Sequence, residues 1–557
     1  MTTRVRILIV AMRAFVLVFG VAALWLARDA MNPDGVAYLD ASDVYLSGSL
    51  ASGSGYWSPL YPMLLAGARR LVGTGATREL TAAQSLNFVV FLLAFAALEY
   101  LLWEVRRTAA LRRPGAASPN DIVWRVLVYA LFAVAAIGWI RVSMMTPDMC
   151  VAALMLAVGG VCVRISSGRA GWPSVIALGL LLGLGYLAKA AMLPIGVVVL
   201  ATVALVQRRR RGVPQAVAAG VLFLAVAAPQ IAYVSRLEGS PTFGGVGRLN
   251  YFWYVANVPG AVSSTFPLPS RLPSPTARGQ TLTPLDPERG THPAIYDIDA
   301  PIPGTLPIWY DAGHWYRGVT APLLPGAIVR TGVRHVRVYF ALFALLIVGG
   351  IAAVVAVPAS RHDLGTMRPA VVLILPALAA LAMYALVLVQ PRYIAPFALM
   401  LFAGLVPPWA TSAVSRRLRI GLAVAAVASL PAVATQARVD GTYWRGTSRA
   451  RSNVASVLAA RGIGPGTRVG FIGEAYDAFW ARTARLRFVS LVPLAEAPRF
   501  WALDAAGRSS VVAQMRQNGA QAIIAEQPAP GVNVEGWEPL PPAGAPRPAL
   551  IVYGGLR

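Results

Sequence analysis

At four places in the sequence an ionisable side chain stands at the edge of a long apolar run, where a charge is costly and needs a reason. The four residues are Asp34, Asp148, Lys189 and Arg392. Asp34 lies in the turn-like sequence Asn-Pro-Asp-Gly, so its carboxylate could serve only the local backbone. It could equally act as a general base for a hydroxyl group. Asp40 and Asp43 follow closely and could share this work.

Asp148 lies in a tight turn, Met-Thr-Pro-Asp-Met, between two apolar runs. A carboxylate at this position could cap the next helix and offset its dipole. Alternatively, Asp148 and Asp34 could share a metal ion or an acceptor molecule. Both explanations stay open from the residues alone.

Lys189 and Arg392 are basic residues at two further turns. Lys189 is the only lysine in the chain, which otherwise uses arginine for its basic residues. A lipid-facing helix end explains a basic group, but it does not explain lysine, whose compact ammonium pairs with phosphate as a point charge. Arg392 precedes Tyr393 in Gln-Pro-Arg-Tyr-Ile-Ala-Pro, and it could bind a phosphate or anchor at a lipid headgroup.

The composition indicates that these residues belong to a polytopic membrane protein. Of the 557 residues, 57% are hydrophobic and 13% are charged, against about 25% charged in soluble domains. The net charge of +25 would suit nucleic-acid binding. However, the arginines cluster in short connections between apolar runs, as the positive-inside rule describes, so we expect no nucleic-acid partner.

Eleven apolar runs are long enough to be transmembrane helices, two of them only if they are tilted or merged. They cover residues 7–27, 80–103, 123–140, 143–163, 175–187, 190–206, 213–234, 336–357, 370–389, 393–408 and 420–433. Arginine-rich connections follow the even-numbered runs, which predicts a cytoplasmic N-terminus and a C-terminus outside. Asp34, Asp148, Lys189 and Arg392 then all face the non-cytoplasmic side. We expect a multi-pass protein of a bacterial plasma membrane.

The predicted fold class is therefore a polytopic α-helical membrane protein with a C-terminal α/β domain. Residues 1–435 form the membrane domain, with external loops at 28–79 and 235–334, and residues 436–557 form a small soluble domain. In this tail, strands are predicted at 468–473, 486–491 and 520–525, and helices at 454–461 and 509–518.

The ordered set of an acid after the first span, an acid in the second external turn, a lone lysine and a final Arg-Tyr-x-x-Pro resembles the GT-C glycosyltransferases. It is most similar to the bacterial branch that includes protein O-mannosyltransferases and lipid A aminoarabinose transferases. Tyr56-Trp57-Ser58-Pro59-Leu60-Tyr61-Pro62 resembles the segment of that family before its second helix. The resemblance covers about residues 1–435, and the tail resembles the periplasmic appendage of such enzymes.

The resemblance implies a polyprenyl-phosphate sugar as donor, a lipid or glycan as acceptor, and inversion at the anomeric carbon. It implies that Asp34 is the base, that Asp148 supports it or holds an acceptor or a divalent cation, and that Lys189 and Arg392 bind the donor phosphate. The side chains that we predict as further contacts of donor or acceptor are Tyr38, Asp40, Asp43, Trp57, Tyr61, His314 and Tyr393.

The sequence departs from the family in three respects, one of which is that Tyr56-Trp57-Ser58 replaces the basic and aromatic pattern of its first loop. Many relatives follow the first acid with a second one, whereas Gly35 follows Asp34, so Asp40 or Asp43 could be the working partner. The loop at 235–334 is not typical of the family. A lipid-linked glycan ligase or a flippase remains an alternative, although a flippase would keep charge inside a central cavity. A non-catalytic scaffold is a third alternative, which Lys189 and the external acids disfavour.

Overall fold

The structure of the chain is a computed structural model that describes residues 3–48, 54–112, 119–207, 209–256, 283–284, 293–298, 304–306, 323–354, 369–409, 413–540 and 550–554. Helices dominate these residues. They are α1 (Thr3–Leu26), α2 (Pro33–Leu46), α3 (Leu60–Val72), α4 (Glu79–Arg112), α5 (Pro119–Ala133), α6 (Asp148–Ser166), α7 (Trp172–Ala188), α8 (Met192–Val206), α9 (Arg209–Glu238), α10 (Val246–Tyr251), α11 (Pro325–Val354), α12 (Val371–Ala385), α13 (Pro391–Leu405), α14 (Ala413–Ala428), α15 (Leu430–Ala460), α16 (Phe479–Thr483), α17 (Ala497–Ala502) and α18 (Ala505–Gln517).

The chain is a polytopic α-helical membrane protein, as the sequence predicts. Within the described residues, seven helical stretches are long and apolar enough to cross a membrane, and four shorter apolar helices, α7, α8, α12 and α13, accompany them. Each of the eleven predicted runs coincides with one of these stretches. The last run continues farther than expected, because α14 and α15 together form a helical stretch over Ser415–Ala460.

The chain divides into two compact units. Unit 1 comprises Met1–Ala27, Gln84–Ala232 and Pro325–Gly441, and it consists of the apolar helices. Its helices pack through small residues and a few buried polar contacts, as helices in membranes do. The buried indole of Trp124 in α5 donates a hydrogen bond of 3.1 Å to the carbonyl oxygen of Ala403 in α13.

Unit 2 comprises Arg28–Ala83, Tyr233–Leu324 and Thr442–Arg557. Here α2 packs against α3. The strands are β1 (Thr283–Pro284), β2 (Tyr296–Asp297), β3 (Arg468–Gly473), β4 (Arg487–Pro493), β5 (Ala522–Glu526), β6 (Trp537–Pro539) and β7 (Leu550–Tyr553). They form one sheet in the order β1-β2-β4-β3-β5-β7-β6, in which β4, β3 and β5 are parallel. The domain boundary at residue 435 stays a prediction.

The sheet is buried on both faces, which is why its parallel strands are apolar at almost every position. Phe471 of β3 packs into one hydrophobic cluster and its neighbour Ile472 into the other. The three strands that the tail sequence predicts are present as β3, β4 and β5. The segment of the 235–334 loop that holds β2 pairs antiparallel with β4 and extends the tail sheet, which the sequence did not indicate.

One expectation for the first external loop needs correction. The Asn-Pro-Asp-Gly sequence suggested a turn, but Pro33 begins α2 and Asp34 lies in the first turn of that helix. Proline suits the first helical position, because its fixed φ fits a helix and its missing N–H would have no partner there. The stretch after residue 59 is also helical, as α3.

Gly179 tests the packing within unit 1, because a Cβ at this position of α7 would lie 2.6 Å from the backbone oxygen of Ala219 in α9. We expect Gly179→Ala to lower the midpoint of thermal unfolding in detergent, since the backbone must move to admit the methyl group. Gly185→Ala in the same helix is the control, because its Cβ would meet Met192 at an ordinary 3.7 Å. Equal midpoints for the two variants would contradict this packing.

Candidate functional sites in the two units

The candidate site of unit 1 is centred on Asp148, the first residue of α6, whose side chain is only 2% exposed. The preceding turn is held by two amide side chains of α4. Gln84 donates to the carbonyl of Ser143 at 2.9 Å, and Asn87 donates to that of Met144 at 3.2 Å. This fixes where α6 begins. The carboxylate then lies at the positive end of the helix dipole, but the cap position is that of Pro147, so Asp148 is the first helical residue and not the N-cap.

Lys189 is the closest charged partner of Asp148. Its Nζ lies 2.6 Å from Oδ1 of Asp148. Lys189 leaves the end of α7 in an extended conformation, and its backbone N–H still donates to the carbonyl of Gly185. The ammonium also lies 3.4 Å from the centre of the Tyr393 ring, which is a favourable place for a cation. The structure therefore brings together three residues that the sequence singled out.

Arg392 completes this cluster from the first turn of α13. Its Nε is 3.8 Å from Oδ2 of Asp148, beyond hydrogen-bonding distance, and that buried oxygen has no hydrogen-bond partner among the residues that the structure describes. Arg392 instead donates to the side chain of Gln390 at 2.9 Å and to the hydroxyl of Tyr393 at 3.3 Å. A cation at a helix N-terminus opposes the dipole. Two cations thus lie beside one carboxylate, and each is about one-fifth exposed, at 21% for Lys189 and 23% for Arg392.

The candidate site of unit 2 contains Asp34. The half-buried carboxylate of this residue accepts a hydrogen bond of 3.0 Å from the hydroxyl of Tyr476. Tyr476 follows β3 in the tail, 442 positions along the chain. Nothing in the local sequence around either residue indicated this pair.

Asp40 and Asp43 belong to a buried ion network and not to an open site. One guanidinium, that of Arg482, lies 2.8 Å from Asp40, 2.6 Å from Asp43 and 2.5 Å from Glu79. Arg69, which is fully buried, lies 2.8 Å from Asp43 and 2.6 Å from Glu79. These contacts occupy the carboxylates and favour a structural role.

Burial and ion pairing act in opposite directions on the acids of this network. Burial raises the pKa of Asp40 to about 6, although Arg482 and the backbone N–H groups of Thr305 and Leu306 favour its charged form. Burial also favours the neutral form of Asp43, but the charges of Arg482 and Arg69 outweigh it and hold the pKa of Asp43 below its ordinary value. Burial disfavours the charge of Arg482 itself, yet its three acids raise its pKa well above the usual range.

The predicted aromatic contacts in unit 2 form one cluster. The ring of Tyr38 lies 4.7 Å from that of Trp57 and 5.1 Å from that of Tyr61. Tyr38 and Tyr61 are buried, whereas Trp57 is half-buried. Their role as substrate contacts stays a prediction. His314 lies outside the described residues.

Sequence reasoning missed Arg69, Glu79, Arg482 and Tyr476. Glu79 stands at the start of a membrane span, so the criterion that singled out Asp34 could have found it. The two arginines and the tyrosine had no such signal. Among the described residues, no group of three or more His, Cys, Asp or Glu side chains is arranged to hold a metal ion.

The ion network predicts a large effect for Arg482→Met on stability. Removing one partner of a buried ion pair leaves acids uncompensated and costs about 3–5 kcal/mol, so the thermal midpoint of the full chain in detergent should fall clearly. Arg499→Met is the matched control, because the Arg499 side chain is 59% exposed and its pair with Glu496 should be worth about 0–1 kcal/mol. A midpoint for Arg482→Met that equals that of Arg499→Met would show that the network adds no stability.

The pair of Lys189 and Asp148 predicts non-additive effects on stability. Lys189→Met should lower the thermal midpoint, because a nearly fully buried carboxylate loses its close cation. Adding Asp148→Asn should restore much of the loss, since the neutral amide needs no counter-charge. Thermal unfolding of the two single variants and the double variant measures this coupling. Simple addition of the two losses would argue against the pair.

No protein-family model and no curated protein sequence matches the chain. Solved structures do resemble it. ArnT from Cupriavidus metallidurans bound to undecaprenyl phosphate has 14% identity and a TM-score of 0.44, with 98% of each chain covered. The apo state of the same protein has a TM-score of 0.41. The Archaeoglobus fulgidus oligosaccharyltransferase in the apo form has 12% identity and a TM-score of 0.48, with 93% of this chain and 69% of that chain covered. The structures that resemble the chain thus include an enzyme of the kind that the sequence resemblance named, and the similarity is one of fold alone.

Proposed function

We propose that the chain is a membrane glycosyltransferase that moves a monosaccharide from a polyprenyl-phosphate donor to a hydroxyl acceptor on the non-cytoplasmic side, with inversion. The observation that carries this proposal is the cluster of Lys189 and Arg392 around the buried carboxylate of Asp148. We take this cluster as the binding site of the donor phosphate.

Charge supports a phosphate as the ligand of this cluster. Two cationic side chains lie beside one carboxylate, and both are partly exposed. An anionic phosphate would be attracted to both cations. The phosphate would also relieve the unfavourable position of Arg392 at the N-terminus of α13, where the helix dipole attracts anions. Lysine supplies a point charge and arginine a planar pair of donors, a combination that suits a phosphate ester.

The same charges would serve the chemical step. The acceptor oxygen forms a bond to the anomeric carbon, while the bond from that carbon to the phosphate oxygen breaks and its electron pair stays on the phosphate. Cations that are already in position stabilise the charge that develops on the leaving group. In this proposal the acceptor proton passes to Asp34, the general base.

Asp148 has a positioning role in this proposal. Its contact of 2.6 Å with Nζ of Lys189 holds the ammonium in place. Because the Asp148 carboxylate is buried, it does not compete with the phosphate for the exposed side of the ammonium. Because the ammonium of Lys189 already occupies Oδ1 of Asp148, this carboxylate is poorly placed to bind a divalent cation. Undecaprenyl phosphate, which the similar ArnT structure holds, is the donor lipid that we would test first. The acceptor is a lipid or a glycan, and the predicted location is a bacterial plasma membrane with the N-terminus in the cytoplasm.

The test is a transfer assay with the purified chain in proteoliposomes and a panel of undecaprenyl-phosphate monosaccharides. We expect the wild type to consume a donor. Asp34→Asn should lower kcat by about 10²–10⁴-fold, the usual contribution of a general base. Lys189→Ala and Arg392→Ala should each lower it by about 10²–10³-fold, as removal of one charge-stabilising donor does.

Asp121→Asn is the matched control for this assay. Asp121 is also an acid at the edge of a span, but it pairs with Arg106 and Arg125 and has no contact with the Asp148 cluster, so its loss should leave kcat unchanged. Transfer of a whole glycan without monosaccharide transfer would favour a ligase. Movement of the lipid across the bilayer without any transfer would favour a flippase. Either result would overturn the proposal.

A further inference from the structure

We infer that Tyr476 is a positioning residue for Asp34, supplied by the tail domain, and that its hydroxyl orients the carboxylate that accepts the proton. The inference rests on the proposed function, because it assigns Asp34 the role of the base. It also gives the tail domain, which has no role in the proposal so far, a part in the chemical step.

The contact itself is direct. The Oη of Tyr476 donates to Oδ1 of Asp34 over 3.0 Å, and both side chains are half-buried. Asp34 lies in the first turn of α2, so its backbone is fixed by that helix, and the orientation of its carboxyl group depends on the contacts of its oxygens. A hydrogen bond to one oxygen fixes the plane of the carboxylate. A base must lie within hydrogen-bond reach of the proton that it abstracts, so this orientation bears on the rate.

The backbone around Tyr476 is itself tightly held. β3 ends at Gly473, whose φ is +145°, and a Cβ at this position would lie 2.6 Å from Cγ of Glu526. Glu526 accepts the N–H of Glu474 at 3.0 Å, and the carboxylate of Glu474 accepts the N–H of Tyr476 at 3.0 Å. Two successive side-chain to backbone hydrogen bonds therefore hold the turn that carries the tyrosine.

The topology of the tail sheet points to the same place. The chain leaves β3, adds β4 on one side of it, and later adds β5 on the other side. In open α/β sheets, ligands bind outside the carboxyl ends of the strands where the chain changes direction in this way. Tyr476 follows the carboxyl end of β3, and Asp34 is in contact with it there. Asp34, which we propose as the base, thus lies at the end of this sheet where the strand order favours the binding of a ligand.

The proton balance assigns distinct tasks to the two side chains. The acceptor hydroxyl gives its proton to Asp34 as its oxygen bonds to the anomeric carbon. The phenol keeps its own proton throughout and only donates a hydrogen bond. Tyr476 therefore affects how often the carboxylate is correctly oriented, and not how tightly the donor binds.

The test is Tyr476→Phe in the proteoliposome assay. Phenylalanine removes the hydroxyl, while the ring can keep its packing against the hydrophobic cluster of the tail. We expect kcat to fall about ten- to hundredfold, the effect of losing a hydrogen bond to a charged group, with the donor KM unchanged. Tyr251→Phe is the matched control. It also removes a tyrosine hydroxyl of unit 2, one that accepts the N–H of Leu324 at 2.9 Å, and it should leave kcat unchanged.

A double variant separates positioning from a general loss of structure. In the Asp34→Asn background, Tyr476→Phe should cause no further fall in the residual kcat, because the carboxylate that it orients is gone. An unchanged kcat for Tyr476→Phe in the wild-type background would overturn the inference and leave the proposed function standing. A further fall in the Asp34→Asn background would also overturn it, in favour of a structural role. A wild type that turns over no donor would defeat the proposed function and the inference together.

Discussion

A buried ionised side chain needs a partner of opposite charge, and this constraint arranges the charged residues within each unit. In unit 2, Arg482 joins Asp40, Asp43 and Glu79, so that α2, the start of α4 and the tail are held by one guanidinium. In unit 1, Asp148 is buried at the start of α6 and takes Lys189 as its partner. The same rule therefore produces a structural network in one unit and a candidate binding site in the other.

The two clusters differ in their exposure. The three carboxylates of the Arg482 network, those of Asp40, Asp43 and Glu79, lie beside the guanidinium groups of Arg482, Arg69 and Arg485, and most of these side chains are buried. In the Asp148 cluster two cations lie beside one acid, and each cation is about one-fifth exposed. Partly exposed cations can attract an anionic ligand, and this is why we propose Lys189 and Arg392 for the phosphate.

In the proposed mechanism the tail domain helps to position the base, a role that its sequence did not indicate. Its sheet accepts β2 from the long external loop, and its turn after β3 holds Tyr476 against Asp34. Both contacts lie within unit 2, which joins the tail with the two external loops in one compact unit. A tail that was only an appendage would need neither contact.

The sequence by itself determined the eleven apolar helices, the three parallel strands of the tail and the residues of the Asp148 cluster. These follow from local properties, namely the length of an apolar run, the periodicity of a strand and the cost of a charge at the edge of a span. Only the tertiary structure decided that Asp40 and Asp43 are neutralised, that Asp34 lies in a helix, and that Tyr476 is its partner. Arg482 and Asp40, like Tyr476 and Asp34, are 442 positions apart. Such pairs form because the folded chain brings distant residues close together, and no local sequence pattern encodes that proximity.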